Sequence, residues 1–493
     1  MFVVGVDIGT QSLKAAVLDE RLKPLGVASR AYQPVFPKPL WAEQDSRLWL
    51  DALRPAIGEA LAAARLDPGK VGALGIAGQL DGCLPVDDKG LALGPCLIWM
   101  DRRAGVEIAG IPAAPVMDRG GLVLDASHMA AKIRWLKRHH PEARRIARFH
   151  QPTSYLVARL TGRAVLDEAV ASTSMLYNLW DRRLDPQLCA LFDIAPEELP
   201  DIDRSEAVAG RLTTEGAALT GLSSGLPVAV GTGDDFSNPL GAGVVAPGRV
   251  VVTLGTAEVV GAVHPKAVID ARALVETHGY AGARFFVENP GWLSGGAIAW
   301  FQTCFRLSGP EELSALAGEA PAGADGVVFL PALSGAMAPE WIAEARGAFY
   351  GLSAAHGTAH MARALLEGLA FAMRDVVERL ASLGVATDEI LLLGGGARSR
   401  LWAQIRADLL QRPVLLSNLA DSSPLGAGLL AAVAAGGFAS LDEAASAIAP
   451  ETRRIEPDAG ARAAYDEAYG RYRRLFDSLR PMFAEPVAGP KQG

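Results

Sequence analysis

One pattern occurs twice in this chain and restricts its fold more than any other feature. An apolar, β-branched run (residues 2–6) leads through Asp7-Ile8-Gly9-Thr10 into a second apolar run (13–18). In the other half, residues 249–254 lead through Gly255-Thr256 into residues 258–263. Each reads as two antiparallel strands joined at a glycine-containing turn. A second pair follows the same logic. Residues 226–230 run into Gly231-Thr232-Gly233-Asp234-Asp235, and residues 389–393 into Gly394-Gly395-Gly396-Ala397-Arg398-Ser399. Both read as apolar strands that end in a glycine-rich turn and lead towards a helix. The repetition predicts two related α/β domains flanking a central cleft. Their boundary is expected near residue 245, where Gly241-Ala242-Gly243 and Pro247-Gly248 punctuate the chain. This gives domains at 1–245 and 246–480 and a tail at 481–493, whose Pro- and Gly-containing end (485–493) is expected to fray.

Apolar residues at helical spacing predict helices over 49–64, 361–383 and 401–410, and the Ala-rich stretch 429–435 reads as a buried helix. A chain of 493 residues, half of them hydrophobic and 21% charged, suits a globular protein with a large core. The net charge of -8 removes the general attraction that drives nucleic-acid binding. No stretch supplies the roughly 20 apolar residues of a transmembrane helix. The first apolar run breaks at Asp7 and Gly9, unlike a signal peptide. Cys83, Cys96, Cys189 and Cys304 form no CxxC pair and read as buried small hydrophobes in a reducing, cytoplasmic setting.

The turns are where chemistry is expected. A tight turn exposes backbone N–H groups, Gly9 lacks the Cβ that would hold a phosphate away, and Thr10 adds a hydroxyl. Gly255-Thr256 has the same character, so a triphosphate clamped between two domains would find donors on each side. Asp7, at the end of its strand, suits a magnesium ion bound through water. For so short a pattern an ordinary hairpin with a surface Asp is the alternative. Gly394, Gly395 and Gly396 leave room for a nucleotide against the backbone. A dinucleotide-binding fingerprint is excluded, since it needs G-x-G-x-x-G at the first strand–helix turn and an acidic partner downstream. Of the adjacent Asp234 and Asp235, one is a candidate for the base that accepts a hydroxyl proton in phosphoryl transfer. The other reading is a helix N-cap.

These turns belong to a longer collinear series: GVDIGTQSLKAAVLD (5–19), WAEQD (41–45), LGIAGQLDG (74–82), LIWMDRRA (97–104), AKIRWL (131–136) and TSYLVARLTG (153–162). It continues with GTGDDFSN (231–238), TLGT (253–256), FLPALSG (329–335), FYGLSAAHGTAHMARALLEGLAFAMRD (349–375) and LLLGGGARSRLWAQIRADLL (391–410). In this order the chain resembles, from residue 5 to about 479, the FGGY carbohydrate kinases of the actin/hexokinase/Hsp70 superfamily, and among them the xylulokinase branch. The resemblance implies two actin-like (ribonuclease H-like) domains. It also implies phosphorylation of a small sugar by ATP with Mg²⁺: D-xylulose first, then D-ribulose or another ketopentose, then a linear polyol such as erythritol or xylitol. By the same resemblance Asp234 is the catalytic base, and Asp7 and Asp234 lie by the metal and phosphates. ATP would lie on Gly9, Thr10 and Lys14, on Gly255 and Thr256, and on Gly394, Gly395, Gly396 and Ser399, with Trp300 nearby. The sugar would meet Gln79, Leu80, Asp81, Trp99, Asp101 and Asp235. The expected partner is a small sugar or polyol, neither nucleic acid nor membrane, with a homodimer left open.

The chain departs from the xylulokinase pattern at Gln79-Leu80-Asp81-Gly82, where Gln-Met-His-Gly is usual, at Asp235 in place of Asn, and at Ala336-Met337 in place of a polar pair. All three are expected at the sugar site, where extra carboxylates would favour a neutral, hydroxyl-rich acceptor over an acid such as a gluconate. Two other classes compete. A non-catalytic sugar sensor could lose Asp234 and the Gly-Thr turns, which are intact here. An actin- or Hsp70-like ATPase acting on a polypeptide would not need the segments around Gln79 and Trp99. His139-His140 and the run Arg144, Arg145, Arg148 read as solvated, Trp41 and Trp49 as core or pocket wall, and the eight histidines show no catalytic constellation.

Overall fold

A computed structural model describes residues 1–419, 421–448 and 450–483. The first duplicated unit builds a seven-stranded sheet from β1 (Phe2–Ile8), β2 (Ser12–Leu18), β3 (Pro24–Ala31), β4 (Val71–Gly78), β5 (Val208–Arg211) and β6 (Pro227–Ala229). Its order is β5-β6-β4-β1-β2-β3, and the short segment Thr232–Gly233 also pairs with β4. β1 is antiparallel to β2 and parallel to β4. Buried on both faces, β1 has no alternation of polar and apolar residues, which is why it reads as one apolar run. The second unit uses β7 (Gly248–Leu254), β8 (Ala257–His264), β9 (Glu276–Tyr280), β10 (Arg284–Leu293), β11 (Thr387–Leu393), β12 (Val414–Ser417) and β13 (Thr452–Ile455), in the order β9-β10-β8-β7-β11-β12-β13.

The duplication is real, but one correspondence inferred from sequence is corrected. The sequence pattern matches β11 with the strand before Gly231, which is β6. In the sheets β11 lies parallel to β7, as β4 lies parallel to β1. The counterpart of β6 is β12, each being the next parallel strand outward. A glycine-rich turn after a strand does not reveal which neighbour that strand takes.

Helices cover the sheets: α1 (Ser46–Ala64), α2 (Asp234–Gly241), α3 (Thr358–Ser382), α4 (Arg400–Leu410), α5 (Ser423–Ala434) and α6 (Arg462–Phe483). Residues 481–483 of the expected tail complete α6, and 484–493 lie outside the described residues. Helix α5 is buried as expected, yet it packs against β1, β4 and α2, on the sheet of the opposite half. Cys83, Cys96 and Cys189 are buried free thiols; Cys304 is exposed, against expectation. Trp49 is core, whereas Trp41 packs edge-on against Trp135 with the Arg103 guanidinium over its ring. No helix among the described residues is long and apolar enough to cross a membrane.

Candidate active site

The two Gly-Thr turns face each other across a cleft of 820 Å³, the size of a nucleotide-class pocket. From the first half Asp7, Gly9, Thr10 and Lys14 line it; from the second Gly255, Thr256, Gly394 and Gly395 do. Hydrogen bonding fixes the first turn: Gly9 N–H donates to Ser12 C=O at 2.9 Å, and Tyr32 Oη donates to Gly9 C=O at 2.8 Å. Gln44 Nε2 donates to Thr10 C=O at 2.5 Å, and Trp99 Nε1 donates to Thr10 Oγ1 at 2.9 Å. In the sequence Gln44 stands out only as one residue of WAEQD (41–45). It is buried, and its Oε1 also accepts from Gln79 Nε2 at 2.6 Å, so one side chain ties the phosphate-type turn to the next cavity.

That cavity, of 260 Å³, opens from the cleft and is small enough to enclose a compact acceptor. Asp234 lines both spaces, as do Thr10, Trp99 and Met337. Gln79, Leu80, Asp81 and Asp235 line the inner one only. Asp234 is the first residue of α2, placed by the Gly231–Gly233 turn at the end of the first sheet. Four titratable residues that sequence reasoning passed over also line the inner cavity: His128, Glu276, His278 and Glu288. His128 Nδ1 lies 3.3 Å from Asp81 Oδ1 and its Nε2 lies 3.5 Å from Glu276 Oε1, while His278 Nε2 lies 3.4 Å from Glu288 Oε1. His128 thus links carboxyls of the two halves, while His278 faces carboxyls of the second half alone. The available signal was charge on one face of apolar strands, Glu276 and His278 on β9 and Glu288 opposite Glu276 on β10.

Electrostatics set this site apart from the molecule's many ion pairs. Burial pushes Asp7 up to about 6, against the pull of the Lys14 ammonium. Burial, with the neighbouring Asp235 and Asp7, holds Asp234 well above the usual carboxylate range. Asp235 is pushed up to about 7 by burial and by Asp81 and Asp7. Asp7 Oδ1 is buried without a hydrogen-bond partner among the described residues. An oxygen-only donor set with an orphaned carboxylate oxygen, opening onto a phosphate-sized cleft, suits a hard divalent cation that keeps most of its water.

Four residues expected at the site line neither space. Asp101 is fully buried; it accepts from Ala42 N–H at 2.7 Å and pairs with Arg103, so it braces the pocket from behind. Trp300 stacks on Phe329 with centroids 6.4 Å apart and does not line the cleft. Gly396 packs under Leu254 and Trp402, and Ser399 caps α4 by accepting from Trp402 N–H, so of that turn only Gly394 and Gly395 face the cleft.

Two actin-like lobes, a nucleotide-sized cleft between paired Gly-Thr turns, and a carboxylate at the mouth of a small inner cavity define a phosphotransferase of the sugar-kinase class. Residues 2–241 match the N-terminal domain of the FGGY family of carbohydrate kinases, and residues 250–435 match its C-terminal domain. The chain is 30% identical over 491 residues to xylulose kinase of Escherichia coli (strain K12), covering 98% of this chain and all of that protein. It is 32% identical over 501 residues to a glycerol kinase of Aromatoleum aromaticum, covering 98% and 99%. The structure of xylulose kinase from Rhodospirillum rubrum superimposes with a TM-score of 0.91 at 32% identity, covering 98% of this chain and all of that one. The chain belongs to the FGGY family of carbohydrate kinases and uses ATP as phosphoryl donor to a small sugar.

Proposed function

We propose that this kinase converts D-xylulose to D-xylulose 5-phosphate, with residues 1–245 holding the acceptor and the base and residues 246–480 holding most of the nucleotide. The observation that carries this reading is the position of Asp234 on the boundary between the nucleotide-sized cleft and the acceptor-sized cavity. A hydroxyl of an acceptor held by Gln79, Asp81 and Asp235 can there approach the terminal phosphorus while Asp234 takes its proton. Gln79 Oε1, buried and without a partner among the described residues, is free to accept from an acceptor hydroxyl. The Gly9 and Gly255 N–H groups are held within their turns, so the Thr10 and Thr256 N–H groups, with the Lys14 ammonium that pairs with Asp421, are the ones that would stabilise phosphoryl charge. Asp7 and Asp234 are the residues that would hold Mg²⁺, which when bound neutralises charge on the phosphates. The xylulose kinases among the relatives favour a ketopentose and the glycerol kinases a shorter polyol; Asp81 and Asp235, which depart from the xylulokinase pattern, favour an uncharged acceptor.

A coupled ADP-release assay over D-xylulose, D-ribulose, erythritol, xylitol and glycerol tests the assignment, and D-xylulose is expected to give the highest kcat/KM. Replacement Asp234→Asn should lower kcat roughly 10²–10⁴-fold while ATP still binds. Near-normal turnover in that variant would remove Asp234 from the role of base.

A further inference from the structure

The inner cavity has a wall contributed by the second domain, and that wall carries polar atoms without partners among the described residues. Glu276 and His278 stand two residues apart on β9, and Glu288 stands directly opposite Glu276 on β10, so all three share one face of the sheet. That face lines the inner cavity and not the nucleotide cleft. Glu276 is already committed: its Oε1 accepts from Val123 N–H at 2.8 Å and lies 3.5 Å from His128 Nε2. Glu288 and His278 are different. Each is at least 98% buried, with a relative exposure of 1% and 2%. Glu288 Oε2 and His278 Nδ1 have no hydrogen-bond partner among the described residues, while their other polar atoms face each other. Buried polar atoms are normally satisfied, so an unpaired carboxyl oxygen and an unpaired ring nitrogen on a cavity wall call for a partner from the cavity.

We propose that Glu288 and His278 are specificity-determining residues that hydrogen-bond the hydroxyl-bearing end of the acceptor remote from the hydroxyl at Asp234. The inference rests on the kinase reading above and names the class of acceptor: an uncharged chain of hydroxyl-bearing carbons long enough to touch Asp234 at the cavity mouth and Glu288 on its inner wall. The chemistry is reciprocal, because a hydroxyl both donates and accepts, as a carboxyl and an imidazole do. Burial and the surrounding carboxyls hold Glu288 well above its usual range, and burial brings His278 down to about 4, so both face the cavity uncharged. The same lining carries the carboxyls of Asp81, Asp235 and Glu276 beside the Arg102 guanidinium and His128; against burial, Asp81 and Glu276 hold that imidazole well above its usual range.

The test compares acceptors of different length on wild type, Glu288→Ala and His278→Phe. The acceptor KM for a five-carbon ketose or polyol should rise roughly 10–100-fold in each variant, as for loss of a hydrogen bond to a buried acidic group. The KM for ATP should stay within about 3-fold, and so should the KM for glycerol, which fills the mouth without needing the wall. Glu288→Gln, which keeps shape and hydrogen-bonding capacity, should recover most of the loss. Equal increases for glycerol and the five-carbon acceptor, or no increase for either, would overturn the proposal. Should Glu288→Ala fold poorly, the acceptor-induced rise in Tm of His278→Phe decides: a rise equal to that of wild type overturns the proposal, and a lost rise supports it. A wild-type protein that turns over no ketose or polyol would remove the kinase assignment on which the inference rests. A working kinase indifferent to Glu288 would remove the inference alone.

Discussion

Glu258 follows the second Gly-Thr turn, at the start of β8, and is wholly buried, as is Arg406 on α4. The guanidinium grips both carboxylate oxygens at 2.6 and 2.8 Å and lies over the Trp402 ring, while Ser294 Oγ donates to Oε2 at 2.8 Å. This pair anchors the Gly255-Thr256 turn to the helix behind it. The net worth of such a pair is small because both charges lose their hydration, but removing one partner strands the other. Arg406→Met should therefore cost about 3–5 kcal/mol in urea unfolding, and adding Glu258→Gln should recover part of it. A single-variant loss under about 1 kcal/mol would show that water or relaxation reaches Glu258. Nothing local in the sequence joins these residues, which lie 148 apart; the same distance problem hid the pairing of His128 with Glu276, whereas His278 and Glu288 sit on neighbouring antiparallel strands and left a local signal. The phosphate-type turns were legible because their chemistry is contained in four consecutive residues.

Helix α5 shows what is legible in an element and what is not. Its composition, Ser-Pro-Leu-Gly-Ala-Gly-Leu-Leu-Ala-Ala-Val-Ala, announces burial. Its partner could be read only from glycines elsewhere. Gly5 of β1 and Gly75 of β4 are paired in register. A Cβ on Gly5 would lie 1.8 Å from Pro424 C=O, and one on Gly75 would lie 1.9 Å from Ala427 C=O. Glycine inside a strand marks close approach of another backbone, and here that backbone is α5, lying on the sheet with no side-chain layer between. Gly75→Ala should push the helix away and cost about 1–3 kcal/mol, read as a lower Tm. The residues that lead into α5, Asp421 and Ser422, line the nucleotide cleft, so the KM for ATP should rise in the same variant. An unchanged Tm would mean that α5 slides without cost. The hairpins and helices were readable because periodicity is local; the return of α5 to the first sheet was not, because connectivity between halves leaves no periodic trace.

At the scale of the whole molecule the lobes are open to each other at the cleft and sewn together along β9. Thr277 N–H donates to Gly121 C=O at 3.0 Å, Gly279 N–H donates to Ser172 Oγ at 3.0 Å, and Tyr280 Oη donates to Val244 C=O at 2.7 Å. Along this seam a small crevice is lined by Asp167, Glu168 and Ser205 from one lobe and by Tyr280 and Gly282 from the other. Asp167 is buried there, accepting from Val170 N–H at 3.0 Å as a helix cap, and burial pushes it up to about 7. An unfolded Asp titrates near 3.9, so between these values the folded chain holds a proton that the unfolded chain releases. The sign follows from proton linkage: this contribution is fully present below about pH 4 and is lost as pH rises through about 7, amounting to about 4 kcal/mol at most. Asp167→Asn keeps the capping oxygen and cannot ionise. Relative to wild type it should change stability little near pH 4 and become the more stable of the two by pH 8, as measured by denaturant unfolding at each pH. A difference between the two proteins that stays constant across this range would mean that Asp167 is ionised in the folded chain throughout, with its charge met by water entering the seam.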